Sequence, residues 1–297
     1  MTSNPQAGIF ALGTASHAYL EFDIEPGIQG RDLVVGVAGL REPRTTMGGV
    51  NLVAGFRPEL WRALAPDDAP AGVEGFNQDL IGTGGFRMPA TQHDAVLWIS
   101  GSAYDVVFDV ARQAMAELRG KAEVAEETSS WPYHKDLDLT GFIDGTENPS
   151  LIDAPDVALI PESSTGAGGS ILLLQKWVYN AAAWESEPAA RQESVIGRTK
   201  TDSVELKDRP PDSHAARTDQ DKFGKIFRRN MPYGTVTVHG TMFVGFSSDQ
   251  GRLVAMLKNM AGITDGVRDA LTHFALPLTG SYYFIPSIAS LKRFAGE

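Results

Sequence analysis

The chain contains no cysteine. That excludes disulfides, thiolate metal sites, thiolate-ligated haem and covalent c-type haem attachment, and it fits a reducing compartment. No run of about 18 apolar residues occurs, so no membrane-spanning helix is expected. Residues 1–13 have neither a basic n-region nor an apolar core. No signal peptide is therefore read, and the cytoplasm is the expected location. Positive charge is in deficit: 26 Lys and Arg against 37 Asp and Glu give a net charge of −11. Such a balance argues against nucleic acid or an anionic membrane as partner. Histidines are few, six in all, with no HExxH, no His-x-His and no clustered carboxylates, so no zinc site is signalled.

What remains is enough for a sizeable core. The 297 residues are 42% hydrophobic and 21% charged, which allows two ordinary domains or one large one. Residues 1–16 read as a loose arm. Ala18 to Ile24 alternates like a strand. Gly30 opens a helical stretch to about Leu40, Val50 to Phe56 reads as a second strand, and Asp94 to Ser100 as a third. Ser102 to Asp105 has capping-box spacing. The helix that follows carries Val107, Val110, Ala111, Ala114 and Leu118 on one face and ends at Gly120. Lys121 to Thr128 is a fourth strand. The order is β-α-β-β-α-β, a ferredoxin-like pattern.

Residues 149–170 form a Pro/Ser/Gly-rich connector, a boundary between halves 1–148 and 149–297. The second half repeats the scheme: a strand at 170–179, helical material at 181–196 broken at Pro188, a strand at 237–247, an amphipathic helix at 249–260, a short helix at 267–274 and a last strand at 280–286. The amphipathic face carries Leu253, Met256, Leu257 and Met260. The fold class expected is α+β, with two antiparallel sheets each bearing helices on one face. The stretch from about Thr199 to Tyr233 does not fit the scheme, and an insert of that length is expected to be functional or disordered.

Three stretches carry candidate chemistry. Gly141-Phe142-Ile143-Asp144-Gly145-Thr146-Glu147-Asn148-Pro149 holds one acid, Asp144, between two glycines. Gly145 permits a turn that a Cβ resists, and an Asx turn at Asp144 is the bland alternative to a site. Arg209-Pro210-Pro211-Asp212-Ser213-His214 presents a single histidine on a proline-fixed approach. One histidine without metal-spaced partners suits the axial position of a haem, since the porphyrin supplies the equatorial nitrogens. Arg228-Arg229-Asn230-Met231-Pro232-Tyr233-Gly234 sets two arginines and an amide before a turn, a grouping able to bind carboxylates, phosphates or haem propionates.

These three stretches, in this order, closely resemble the dye-decolourising peroxidases, and the compact length resembles the bacterial B-type group. The resemblance runs from about Tyr19 to Pro286. It implies two ferredoxin-like domains of the dimeric α/β-barrel type, with one haem b per chain in the second. It implies His214 as the proximal iron ligand, with an acidic residue behind it. Asp269 is the best match for that residue and Asp265 the rival. Asp144 resembles the distal acid, Arg228 the distal arginine and Asn230 a further distal polar group. Phe243 and its strand neighbours are expected to wall the haem. The implied activity is reduction of hydrogen peroxide and oxidation of dyes, phenolics or small reductants through a ferryl intermediate. A carboxylate acting as the base predicts an activity optimum on the acid side of neutrality. Trp131, Tyr133, Trp177, Tyr179 and Trp184 are candidates for electron relay. The alternative function is haem or porphyrin handling for transfer, storage or iron release. A homo-oligomer is expected from the resemblance alone. Ser287 to Arg293 distantly resembles a nanocompartment-targeting extension, a reading not favoured here.

Overall fold

The computed structural model describes residues 4–40 and 49–296. Its strands are β1 (Ser16–Ile24), β2 (Val50–Phe56), β3 (Leu80–Ile81), β4 (Arg87–Met88), β5 (Ala95–Gly101), β6 (Ala122–Ser130), β7 (Ser170–Tyr179), β8 (Phe227–Arg228), β9 (Met231–Gly234), β10 (His239–Ser247), β11 (Ala275–Pro277) and β12 (Ser281–Ile285). Its helices are α1 (Gly30–Gly39), α2 (Pro58–Leu64), α3 (Tyr104–Leu118), α4 (Ala154–Ala158), α5 (Ala181–Ser186), α6 (Ala189–Ile196), α7 (His214–Arg217), α8 (Gln220–Phe223), α9 (Gln250–Met260) and α10 (Ile288–Lys292).

Both halves have ferredoxin-like strand order. In the first, β1 lies between β5 and β6, and β2 flanks β5. In the second, β7 lies between β10 and β12, and β9 flanks β10. All of these pairs are antiparallel. The two sheets do not stay separate. Phe284 of β12 pairs with Phe56 of β2, and Ser130 of β6 pairs with Tyr233 of β9. Together with the β7–β10 ladder these joints close the strands into one barrel, which leaves no free edge between halves.

Closure explains where each strand residue goes, because successive side chains point to opposite faces. Tyr19, Val53, Trp98, Leu172, Leu174, Met242, Val244, Phe246 and Tyr283 fill the barrel interior. Leu20, Phe22, Leu97 and Ile99 point outward and pack with Leu33, Val37, Val107 and Leu118 of α1 and α3. In the second half Ile171 and Leu173 point outward in the same core as Leu253, Met256, Leu257 and Met260 of α9. The buried stripes of α3 and α9 are those read from their period.

Several sequence expectations are corrected. The N-terminal arm is not loose over its described part. Ile9 is fully buried among the barrel-interior residues. The Gln6 amide donates to Ala54 O and Pro286 O and accepts from Ala54 N, at 2.7–2.9 Å. Ser102 does not cap α3: Ala103 occupies the N-cap position, and Asp105 Oδ1 accepts instead from its neighbour Val106 N. The stretch at 267–274 forms only one 3-10 turn, Ala270–His273. The insert at 199–233 is part of the repeat, because β9 is the second strand of the C-terminal sheet. Its four residues, Met-Pro-Tyr-Gly, read as a turn in sequence; pairing with β10 makes them a strand. Ser287 to Arg293 includes α10, and the Phe294 that follows is buried on Trp61.

Candidate active site

One cavity of about 290 Å³ lies on the outer face of the C-terminal sheet. Its sheet wall is Leu173, Gln175, Trp177, Tyr179, Thr241 and Phe243. Alternation puts these on the face opposite Leu172, Leu174, Met242 and Val244, which occupy the barrel. Phe243 therefore faces the cavity, directly across the ladder from Gln175. Residues of α9, including Leu253, Met256 and Leu257, form an apolar wall.

His214 enters from α7. Pro210 O accepts from both the N–H (3.0 Å) and the Oγ (2.7 Å) of Ser213, and Ser213 is fully buried. This turn delivers His214 as the first residue of the helix. Its Nδ1 bonds Asp269 Oδ2 at 2.7 Å. Asp269 is completely buried, while about a quarter of the His214 side chain is exposed (26%). The other carboxylate oxygen accepts from Leu271 N. With Nδ1 committed, Nε2 is the ring nitrogen left for the cavity that His214 lines. Asp265 is engaged elsewhere: its two oxygens take the fork of buried Arg217 at 2.8 and 2.9 Å. That guanidinium holds the Asp265 carboxyl down, to about 2. Of the two rivals, Asp269 is the one that meets the histidine.

The central motif supplies another part of the lining. Residues 137–143 form a small hairpin, with Leu137 bridged to Ile143 and a turn closed by Gly141 N to Asp138 O at 2.9 Å. Gly141 has φ +85° there, and a Cβ would also stand 2.9 Å from Lys200 Cε. Asp144 follows the hairpin, its N–H bonding Asp136 O at 2.8 Å. Asp144 Oδ1 accepts from Gly145 N at 2.7 Å and from Asn230 Nδ2 at 3.4 Å. Asp144 thus does bond a nearby backbone N–H, and Asp138 does the same two residues on, its Oδ1 accepting from Thr140 N at 2.8 Å.

Arg228, the last residue of β8, and Arg229 just after it have different surroundings. Arg228 lines the cavity, and its Nε is buried without a hydrogen-bond partner. Arg229 donates to Ile9 O and Ala11 O at 2.9 and 2.7 Å and lies over Trp98. Asn230 Oδ1 accepts from Val244 N at 3.1 Å, which aims its Nδ2 at Asp144. The cavity thus gathers His214, Asp144, Arg228, Asn230 and Phe243, while Asp269 stands behind His214.

Sequence reasoning missed three groups. Asn148 clamps Arg228 from both sides, accepting from its N–H at 2.9 Å and donating to its C=O at 2.8 Å. Its signal was its place in the central motif. Asp138 and Thr241 form a hydrogen-bonded cluster with Tyr179 at the cavity wall, and no local pattern points to them. Of the five relay candidates, Trp177 and Tyr179 line the cavity. Trp184 lies in a separate buried cluster with Phe142, and Trp131 is surface-exposed.

Comparison with known proteins gives this geometry a family. Residues 36–131 match the model of the Dyp-type peroxidase N-terminal region, and residues 135–290 that of its C-terminal region. The chain belongs to the Dyp-type peroxidase family. It is 33% identical to a dye-decolorizing peroxidase of Rhodococcus erythropolis over 92% of this chain and 84% of that one. A dyp-type peroxidase structure from Shewanella oneidensis superposes with a TM-score of 0.90 at 29% identity, covering all of both chains. A Rhodococcus jostii DypB variant solved in complex with heme superposes at 0.85 with 30% identity, covering 98% of this chain and 99% of that one. As a Dyp-type peroxidase the chain is an oxidoreductase, with the α+β, two-ferredoxin architecture described above. Among the described residues no helix is long and apolar enough to cross a membrane, and no group of three or more His, Asp or Glu is placed to hold a metal ion by itself.

Proposed function

We propose that this Dyp-type peroxidase binds one haem b in the cavity beside His214 and uses hydrogen peroxide to oxidise dyes, phenolics or other small reductants. The observation that carries the reading is one cavity lined both by an imidazole anchored at Nδ1 and by a carboxylate, an amide and a guanidinium. The residues present suit the group. A porphyrin needs apolar contact, which Phe243 and α9 offer. Its iron needs one protein nitrogen, which His214 Nε2 offers. The orphaned Nε of Arg228 offers a donor to an anionic partner.

His214 would hold the iron. Asp269, accepting at Nδ1, fixes the ring and raises its electron donation. When bound, the haem supplies a redox-active iron that takes up peroxide. Asp144 moves the proton, taking it from one peroxide oxygen and returning it to the other so that water can leave. Gly145 N and, more weakly, Asn230 Nδ2 orient the carboxylate. Arg228 stabilises the charge that develops on the leaving oxygen. In the wider reading the haem-binding half is 149–297, Asp144 is contributed from 1–148, and the protein is a cytoplasmic homo-oligomer. A relay to bulky reductants would start at Trp177 or Tyr179.

Haem handling alone gives no task to Asp144. The experiment is an ultraviolet–visible spectrum of the haem-loaded protein before and after one equivalent of peroxide, repeated with Asp144→Ala. The expected outcome is a shifted Soret band and peroxide turnover, with turnover slowed roughly 100-fold or more in the variant. Unaltered turnover in Asp144→Ala would remove that residue from the role. A Soret band unmoved by peroxide would favour the haem-handling reading.

A further inference from the structure

Asp138 also lines the cavity, and its two oxygens have different tasks. Oδ1 accepts from Thr140 N and so closes the turn of its own hairpin. Oδ2 accepts from Tyr179 Oη at 2.9 Å and from Thr241 Oγ1 at 2.6 Å. Those two hydroxyls also bond each other at 2.9 Å. Tyr179 is the last residue of β7 and Thr241 lies in β10, so one carboxylate joins the hairpin to both central strands of the haem-side sheet.

On its other side the hairpin is held by Phe142, which belongs to a buried cluster with Val195, Ile196 and Ala270 and lies under Lys200 Nζ. Phe142 is buried against Trp184, and Trp184 Nε1 donates to Thr140 O at 3.0 Å. Asp144 follows directly, reached through the rungs Asp138 N to Phe142 O and Asp144 N to Asp136 O, at 2.9 and 2.8 Å. A shift of the hairpin along the sheet therefore moves Asp144 relative to Asn230, which is set by its bond from Val244 N of β10. The Asp144–Asn230 contact, at 3.4 Å, is long enough to be lost by a small shift.

We infer that Asp138 is a positioning residue for Asp144: with Tyr179 and Thr241 it pins the hairpin at the height that places the Asp144 carboxylate beside Asn230. Charge-assisted bonds of this kind are the strong ones, and a displacement near 1 Å of a group that must meet a substrate atom costs about 100-fold in rate. The inference rests on the proposed role of Asp144, and the experiment separates the two.

The double variant Tyr179→Phe/Thr241→Val removes both donors and leaves the Asp138 turn intact. It would be compared with wild type, with Asp144→Ala and with the triple combination. Two readouts are taken: peroxide turnover of the haem-loaded protein, and amide hydrogen exchange at Gly145, whose N–H bonds Asp144 Oδ1, in protein with and without haem. The expected result is Gly145 exchange faster by about tenfold in both states, consistent with the loss of a charged hydrogen bond. Turnover falls at least tenfold with KM for peroxide little changed, and no further loss appears when Asp144 is already Ala. Normal Gly145 exchange, or the same fractional loss of turnover with and without Asp144, would overturn the inference. If Asp144→Ala alone leaves turnover intact, the role of Asp144 falls, while the exchange readout still decides whether the pin exists. Asp138→Ala, which also loses the turn, is expected to give the larger exchange effect of the two.

Discussion

His214 and Asp269 lie 55 positions apart in sequence and 2.7 Å apart in space. Sequence could rank Asp269 and Asp265 as rivals, because both stand near the same turn. Only the Arg217 fork on Asp265 decides between them, and nothing within a few residues of either acid reports that fork. Asp269→Ala is expected to weaken haem affinity about 10–100-fold, whereas Asp265→Ala leaves it near wild type; a Soret titration of the haem-free proteins measures both. A second residue-scale consequence concerns pH. His17 is fully buried, and Trp98 Nε1 donates to its Nδ1 at 3.0 Å, which requires a neutral ring. Burial, reinforced by the Arg229 charge, pushes its pKa down to about 4. Between that value and about 6.5 the unfolded chain binds the proton and the folded chain does not, so stability falls as pH falls through this window. The contribution is about 3 kcal/mol at most. Glu21, pushed up by burial, acts in the opposite sense, so the comparison must isolate His17. Denaturant midpoints of wild type and His17→Gln at pH 4 to 7 are expected to converge toward the acid end.

At the scale of elements, the long periodic helices were legible in sequence and the short pieces that aim the site were not. The stripes of α3 and α9 repeat over several turns, so a period exists to be read. The hairpin at 137–143 is too short to show one. It holds its shape through Gly141 at positive φ, through Asp138 and through contacts with distant strands. Beyond the hairpin, the motif residue Asn148 acts across 80 positions on the Arg228 backbone. Asn148→Ala leaves both backbone groups without that partner, at a cost of about 1–3 kcal/mol. The expected outcome is a lower thermal midpoint together with slower peroxide turnover, since Arg228 loses its fixed backbone. A variant with normal stability and normal turnover would show that the clamp is dispensable.

At the scale of the whole molecule, closure of two sheets into one barrel turns a weakly patterned N-terminal segment into a structural plug. The carbonyls of Ile9 and Ala11 take the buried guanidinium of Arg229, whose pKa burial lowers to about 10, so it remains charged at neutral pH. Deleting residues 1–12 strips this charge of those acceptors and uncovers one end of the barrel core. Loss of a partner from a buried charge costs about 3–5 kcal/mol. Chemical denaturation of the truncated protein is expected to show a loss of at least that size, with a larger fraction of unfolded chain at 37 °C.

The sequence by itself determined the fold class, the repeat of the β-α-β-β-α-β scheme, the stripes of the long helices and the three motifs that carry the family resemblance. These are properties of period, composition and motif order, carried by neighbouring residues. The tertiary structure alone decided that the sheets close on each other, that Arg228 meets the cavity while Arg229 meets the arm, that Asp269 and not Asp265 meets His214, and that Asp138 ties the motif hairpin to the sheet. Each of those outcomes depends on which distant groups compete for a buried donor, acceptor or charge, and that competition has no counterpart in local spacing.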